Sequence, residues 1–409
     1  MSEWPLFALG EIFDIARGGS PRPIQDFITE DPRGINWIMI SDATESSKYI
    51  TQTKKRIKIS GTPKSRMVHP GDFLLTNSMS FGRPYIMRTS GCIHDGWLVL
   101  RGKQKDVIDR DFFYHLLGSS AVYSEFERLA AGATVKNLNI DLVSRVKVPL
   151  PPVAEQRRIA AILDQADMLL RKRRQTIAEV DKLPIAVFGQ MFGNPKSLPN
   201  GWSKVTLQDV IRDGDRINYG VVQPGTEDEG GIPLVRVANI VNQDLRPGNL
   251  KKISPSIEGQ YKRSRLRGDE VLVSCVGSIG AVALANAGLT GANIARAVAR
   301  IPVCPDKANR IYIMEFLRLD RTQRYFRTET RTVAQPTLNI KQLSETPVFL
   351  PPLPIQEQFS NIVVKTHDLK SKLMLHLGKL EALFASLQDR AFRGELIGEN
   401  AERELALVG

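Results

Sequence analysis

At 409 residues the chain is too long for one ordinary domain, and at roughly 100–200 residues per domain it predicts two to four folding units. Its 42% hydrophobic and 24% charged residues are the composition of a folded globular protein, which excludes a disordered chain, and no run approaches the ~18 apolar residues of a membrane span. Lysine and arginine number 56 against 44 acidic residues, and the resulting +12 favours a polyanionic partner such as nucleic acid or an anionic surface.

The opening MSEWPLFALGEIFD has no basic stretch leading into an apolar one, so neither export nor membrane insertion is expected, and the cytoplasm is the expected compartment. Short apolar runs bounded by turn residues predict strands at Asp72–Thr76 and Trp97–Leu100. A helix is predicted over Asp111–Leu129, where Phe112 and Leu116 recur at helical spacing. KNLNIDLVSRVKVPLPP follows at 136–152. From Val153, Ile162, Ala166, Leu169, Arg173, Ile177, Val180, Leu183, Val187 and Met191 fall at three- and four-residue steps and predict a long helix interrupted by Pro184. The same order then returns, with strands at Glu270–Ser274 and Val298–Ile301, a helix over Asn309–Arg327, PTLNIKQLSETPVFLPP at 336–352, and a second long helix. Cys92, Cys275 and Cys304 lie far apart without a CxxC pair, the pattern of reduced thiols rather than of disulfides or a zinc site.

The chain is therefore a tandem repeat. The segments at 136–152 and 336–352 are offset by 200, GINWIMISDATE at 34–45 matches GIPLVRVANIVN at 231–242, and PGDFLLTNSMSFG at 70–82 matches RGDEVLVSCVGSIG at 267–280. Pairing Glu155-Gln156 with Glu357-Gln358 gives an offset of 202, which implies a two-residue insertion. Each half is an α+β module followed by a long helix: modules at 1–150 and 196–350, helices at 151–193 and 351–394, and a tail at 395–409. In the second helix Ile355, Phe359, Ile362, Thr366, Leu369, Leu373, His376, Leu380, Leu383 and Leu387 alternate steps of four and three, the seam of a coiled coil. About 40 residues at 1.5 Å each span roughly 60 Å, and the duplication supplies the partner for so long an apolar stripe. The expected seam is Ile162, Leu169, Ile177 and Val180 against Ile362, Leu369, Leu373, Leu380 and Leu387, antiparallel, with His376 a satisfied core histidine. Two basic heads on a rigid spacer can read two half-sites at a set separation, and because the heads differ, the expected target is a bipartite, asymmetric DNA sequence.

PLPPVAEQRRIAAIL at 149–163 and LPPLPIQEQFSNIV at 350–363 each close a divergent module and open a long helix, and in this they resemble the conserved regions of the specificity subunit of type I restriction-modification systems. The resemblance covers essentially the whole chain. It implies two target recognition domains joined by two long antiparallel coiled-coil helices with internal pseudo-two-fold symmetry, each domain reading one half of a split site on double-stranded DNA. It also implies two modification subunits that methylate adenine with S-adenosylmethionine, and a restriction subunit that translocates and cleaves with ATP and Mg. No cofactor is expected on this chain itself. Consistent with a non-catalytic subunit, it has no GxxxxGK[ST] loop, Gly277-Ser-Ile-Gly280 is not a GxSxG elbow, Asn194-Pro195 lacks the following aromatic residue of a methyltransferase, Pro305-Asp306 has no downstream nuclease pattern, and five scattered histidines assemble no metal site.

Candidates for phosphate contact are the basic residues of turn-rich stretches: Lys54, Lys55, Arg56, Lys64, Arg66 and Lys136 in the first half, and Lys251, Lys252, Lys262, Arg263, Arg265 and Arg331 in the second. Base readout needs paired hydrogen bonds, which nominates Arg22, Asn77, Arg83, Asn218, Gln223, Arg236, Asn239 and Asn293. The rival from another class is a coiled-coil scaffold whose heads bind proteins. Exchanging residues 1–150 for the same region of a relative is expected to change one half of the recognised sequence, and methylation mapping that showed both halves altered would overturn the modular reading.

Overall fold

The computed structural model describes residues 4–44, 48–77, 82–130, 137–193, 201–241, 244–246, 248, 250–330, 336–396 and 405. The chain divides into two compact units, Met1–Gln175 with Met374–Gly409, and Thr176–Leu373.

In the first unit one five-stranded sheet has the order Phe13–Arg17, Trp97–Gly102, Phe73–Thr76, Pro84–Met87, Tyr49–Ile50. Its central strand Phe73–Thr76 is buried throughout, as a continuous apolar run requires. A second sheet has the order Ile28–Thr29, Lys55–Ile57, Ile35–Ile38, Gly91–Ile93, Arg66–Val68. The sequence at 111–129 forms two helices, Arg110–Leu117 and Ser120–Ala130, divided at Gly118-Ser119. Leu6–Ala8 pairs with Lys147–Pro149 and brings the start of the module to the point where the first spacer helix, Val153–Val180, begins. One apolar core runs from the sheet through Phe112, Phe113 and Phe126 to Ile159, Ile162, Leu163 and Ala166 of that helix and Leu387 and Ala391 of the second spacer helix, Leu353–Phe392. Within this unit the two helices are antiparallel: Arg158 donates to the Leu396 carbonyl at 2.6 Å and Arg174 pairs with Glu381 at 2.8 Å, so numbers rise on one helix as they fall on the other.

The second unit repeats the plan. A four-stranded sheet has the order Asn218–Tyr219, Val298–Ile301, Val271–Ser274, Val282–Leu284, and a three-stranded sheet the order Lys251–Ile253, Ile232–Val235, Asn293–Ile294. The helical region at 309–327 again forms two helices, Arg310–Arg318 and Asp320–Glu329. Ser203–Thr206 pairs with Pro347–Leu350 ahead of the second spacer helix. The first spacer ends at Val180 and the chain resumes as a separate helix, Leu183–Phe192, with Pro184 in its first turn, where a missing N–H costs nothing. This helix delivers Phe188 and Phe192 to an aromatic cluster with Tyr312, Phe316 and Phe359, with ring centroids of 4.7 Å for Phe188–Phe192 and 5.4 Å for Phe188–Phe359.

Two expectations need correction. The glutamines that match are Gln156 and Gln356, because each buried side chain accepts from the corresponding backbone N–H, Asp109 at 2.8 Å and Asn309 at 2.9 Å. The offset is thus 200 at this point and there is no two-residue insertion. The buried stripe of the second spacer is Gln356, Phe359, Val363, Thr366, Leu380, Leu387 and Ala391, with Lys370, Leu373, Leu377 and Phe384 half-buried between them. It keeps the 3.5-residue period, and Leu373, Leu380 and Leu387 hold their expected places, but Ile362 and Leu369 are exposed because the residue after each takes the inner position. His376 is likewise exposed, with its Nδ1 accepting from Arg173 at 3.0 Å. On the first spacer Ile162, Ile177 and Val180 are buried while Leu169 is half-buried beside buried Leu170. Phe359→Ala is expected to cost about 3–5 kcal/mol in chemical denaturation, whereas Ile362→Ala is expected to stay within about 0.5 kcal/mol; equal costs would restore the original seam.

Candidate nucleic-acid interface

Each module has a pair of parallel strands at the equivalent place in its second sheet, and in the first a cleft opens at the ends of that pair. In the first, Ile35–Ile38 lies parallel to Gly91–Ile93, with Trp37 opposite Cys92 and Ile38 opposite Ile93. Beyond their carboxyl ends the two chains diverge through Met39 and through His94-Asp95, and such ends are where open sheets with parallel strands bind ligands. Gly18 approaches so closely that a Cβ there would lie 2.1 Å from the His94 carbonyl oxygen, so only glycine lets Ser20-Pro21-Arg22 cross the strand ends. The resulting cleft, of about 500 Å³, has Trp37 and Met39 among its walls and Ser20, Arg22, Gln25, Lys55, His94 and Asp95 as its polar groups.

The polar groups are organised. Ser20 Oγ donates to Asp95 Oδ1 at 2.8 Å and Arg22 lies 3.7 Å from Oδ2; the serine bond, opposed by burial, holds this carboxyl below its usual range. Burial holds His94 below the usual imidazole value despite the Asp95 charge, and its Nδ1 accepts from the Gly96 N–H at 2.9 Å, so the neutral ring carries its proton on Nε2. The cleft therefore offers a carboxylate acceptor, an imidazole N–H donor, the Gln25 amide and two cations.

In the second module Ile232–Val235 lies parallel to Asn293–Ile294, with Leu234 opposite Asn293 and Val235 opposite Ile294. The ladders match the two modules position by position, with Met39 corresponding to Arg236, His94-Asp95 to Ala295-Arg296, and Lys55, opposite Trp37, to Lys251, opposite Leu234. Gly220 repeats the close approach, now 1.6 Å from the Ile294 carbonyl oxygen to the position of a Cβ, and Val222-Gln223 follows Val221 as Ser20-Pro21 follows Gly19. Gln223, Arg236 and Arg296 are all exposed. The same scaffold thus presents a carboxylate and an imidazole in one module and two guanidinium groups and an amide in the other.

The structure gathers Arg22 and Lys55 at the first cleft, and Gln223, Arg236 and Lys251 at the corresponding place in the second module. Four nominated asparagines are instead internal braces. Asn77 is buried and donates to the Asp95 carbonyl at 2.9 Å. Asn218 accepts from Arg300 at 3.0 Å and donates to the Tyr219 carbonyl. Asn239 is buried and accepts from the Arg236 N–H. Asn293 is buried among Ser264, Glu258 and the Tyr261 carbonyl. Arg83 is exposed on the hairpin between Phe73–Thr76 and Pro84–Met87 and does not line the cleft.

Among the phosphate candidates Lys54, Lys55, Lys64, Arg66, Lys252, Lys262 and Arg263 are exposed. Several are steadied from below: Lys64 lies over the Phe27 ring at 5.5 Å, Arg56 donates to the Pro32 carbonyl, Arg66 to that of Arg17, Lys251 to that of Gly225 and Lys252 to that of Glu229. Arg265 is exposed but paired, its Nε and Nη2 donating to the two Glu258 carboxylate oxygens at 2.8 and 2.6 Å. Lys136 and Arg331 lie outside the described residues. Sequence reasoning missed Gln25, His94, Asp95 and Arg296; aligning the residues that follow each matched strand across the repeat would have found the last three.

A model of the type I restriction modification DNA specificity domain matches residues 1–181 and again 199–377. The type I restriction enzyme EcoBI specificity subunit of Escherichia coli is 31% identical over 333 residues, covering 72% of this chain and 68% of that protein. The MjaIX specificity subunit of Methanocaldococcus jannaschii is 22% identical over 58% of each chain. Among solved structures, a chain from a study of complex assembly in a type I restriction-modification system aligns with TM-score 0.61 at 18% identity, covering 97% of this chain and 99% of its own. The S subunit from M. genitalium aligns with TM-score 0.53 at 15% identity over 95% and 96%. These likenesses, resting on both modules and on the joints between module and helix, make the chain a member of the type I restriction-modification DNA specificity family.

Proposed function

We propose that the chain reads a bipartite, asymmetric site on double-stranded DNA, each module probing base edges of one half-site with the polar groups at the ends of its parallel strand pair. The observation that carries this reading is the equivalence in position of the two parallel strand-pair ends and the difference in the chemistry they present. Arg236 and Arg296 suit the O6/N7 face of guanine, Gln223 suits adenine, and the Asp95 carboxylate can accept from a cytosine or adenine amino group. Exposed Lys54, Lys55, Lys64, Arg66, Lys252, Lys262 and Arg263 supply the sequence-independent attraction to phosphate.

In this reading the spacer helices set the gap between half-sites and dock two modification subunits, which carry S-adenosylmethionine, while restriction subunits carry ATP and Mg; this chain contributes recognition and no catalysis. Docking is supported by Ile355, Ile362 and Leu369, which form an exposed apolar row at seven-residue spacing on the second spacer. No helix among the described residues is long and apolar enough to cross a membrane, and in this reading the complex works in the cytoplasm.

Competition binding by the chain with its modification subunits tests the reading. Affinity should fall steeply as salt rises while preference for one sequence over random DNA persists, whereas a protein scaffold would show neither. Arg236→Ala should cost about 1–3 kcal/mol and relax preference at one base pair of the second half-site, and Lys262→Ala should weaken all sequences alike and lower the salt slope by about one. Asn293→Ala should lower stability by about 1–3 kcal/mol through the groups it leaves unpaired; a variant that folded normally but lost one base preference would return Asn293 to the reading face.

A further inference from the structure

Away from the cleft, the first unit joins its module to its spacer through buried charge. Lys48, 3% exposed, donates to Asp111 at 2.8 Å and to Asp164 at 2.5 Å. His115, 2% exposed, meets the same Asp164 oxygen through Nε2 at 2.7 Å. Asp111 and His115 share one face of the module helix Arg110–Leu117, four residues apart, whereas Asp164 belongs to the spacer. Burial alone would raise the Asp164 carboxyl, but the bonds from His115 and Lys48 outweigh it and hold it low; burial likewise opposes the Lys48 charge and is outweighed by the two carboxylates. Tyr114 stacks its ring below the ammonium at 5.1 Å.

An apolar joint tolerates small rotations by repacking, whereas two hydrogen bonds converging on one carboxylate oxygen, with a third tying the same lysine to the module helix, accept one angular setting. Replacing buried ion pairs with apolar groups is often neutral for stability, so their distinctive contribution here is orientation. Among the described residues, the corresponding positions of the second unit hold no such cluster. At the offset of 200, His115 becomes Glu315, which pairs with Arg318 at 2.8 Å, and Asp164 becomes exposed Val364.

We propose that Asp164 is a positioning residue which, with Lys48 and His115, fixes the rotation of the first module on its spacer helix and so the gap length at which the first half-site is read. This rests on the bipartite reading above. The test uses the chain with its modification subunits and duplexes carrying the site mapped by methylation sequencing, with the gap set at its native length and at one base pair more or less. D164N leaves Lys48 with a single carboxylate, so K48M/D164L, which puts apolar stems in place of both charges, is the companion expected to keep the fold, checked by thermal unfolding. The native complex should discriminate against altered gaps. Both variants should lose at least about tenfold of that discrimination while keeping the base preferences of each half-site, and D164E should recover part of it. A folded variant with native gap discrimination overturns the proposal, as does one whose base preferences change instead. If the native complex ignores both gap and half-site sequence, the bipartite reading falls and this inference with it.

Discussion

The arrangement of each module depends on one buried side-chain amide at the foot of its spacer helix. Gln156, fully buried, accepts from the Asp109 N–H and donates to the Pro151 and Val107 carbonyls; Gln356 accepts from the Asn309 N–H and donates to the Pro351 carbonyl. Asp109 and Asn309 cap the module helices with their side chains, accepting from Phe112 and from Ile311 and Tyr312, so the glutamine satisfies the backbone of the very residue that starts the neighbouring helix. The preceding proline pair ends the strand and has no N–H of its own to satisfy. Removing the amide strands several buried polar groups at about 1–3 kcal/mol each, which is why the brace recurs in both halves although most other contacts differ.

With that joint held, the rest of the module is free to change. The strand pairs correspond at an offset of 197 for Ile38 and Val235 and 201 for Ile93 and Ile294, and the offset returns to 200 at Asp109 and Asn309. Length changes are absorbed between the strands and ahead of the brace. The parallel ladder and the glycine crossing over it stay, and only the residues just past the strand ends exchange character, Met39 for Arg236 and Asp95 for Arg296. A scaffold of backbone hydrogen bonds does not depend on those side chains, so their chemistry can be set by the sequence to be read.

The large organisation was legible because it rests on patterns that survive without contacts: the repeat, the strands at Phe73–Thr76 and Val298–Ile301, the Pro-Pro joints and the 3.5-residue period. The face of the second spacer was misread by one residue because hydrophobicity favours Ile362 and Leu369 over Val363 and Lys370. The inner position at 370 is taken by a lysine whose stem is covered and whose ammonium pairs with Asp181 at 2.7 Å, and no periodicity count awards a seam position to a charge. At the site the error had another source. Asparagine near a turn can bond outward to a base or inward to the backbone, and Asn77, Asn218, Asn239 and Asn293 all turn inward, as short amides beside strand ends commonly do. His94 and Asp95 stand out in the sequence only when the repeat is aligned past each strand, because a single histidine and aspartate otherwise have no partner there; the parallel ladder puts them beside Met39 and Asp95 under Ser20.

The two joints use different physics for the same task. The second unit seats its spacer in an aromatic cluster, where Phe359 meets Phe188 and Phe192 edge to face and Phe188 stacks on Tyr312, an arrangement whose main contribution is buried area. The first adds Lys48, His115 and Asp164 at the rim of an aliphatic and aromatic core, giving up some desolvation energy for a defined angle. A similar device in the second unit sits elsewhere, where Lys370 ties the spacer to Asp181, just past the end of the first spacer helix, and lies 3.5 Å from Asp244 of the module. Burial opposes the Lys370 charge and the two carboxylates more than restore it. Each unit therefore places one buried or half-buried lysine between its module and its helices, reached from different loops, so the common requirement is a directional polar tie across an otherwise apolar seam rather than any particular pair of residues.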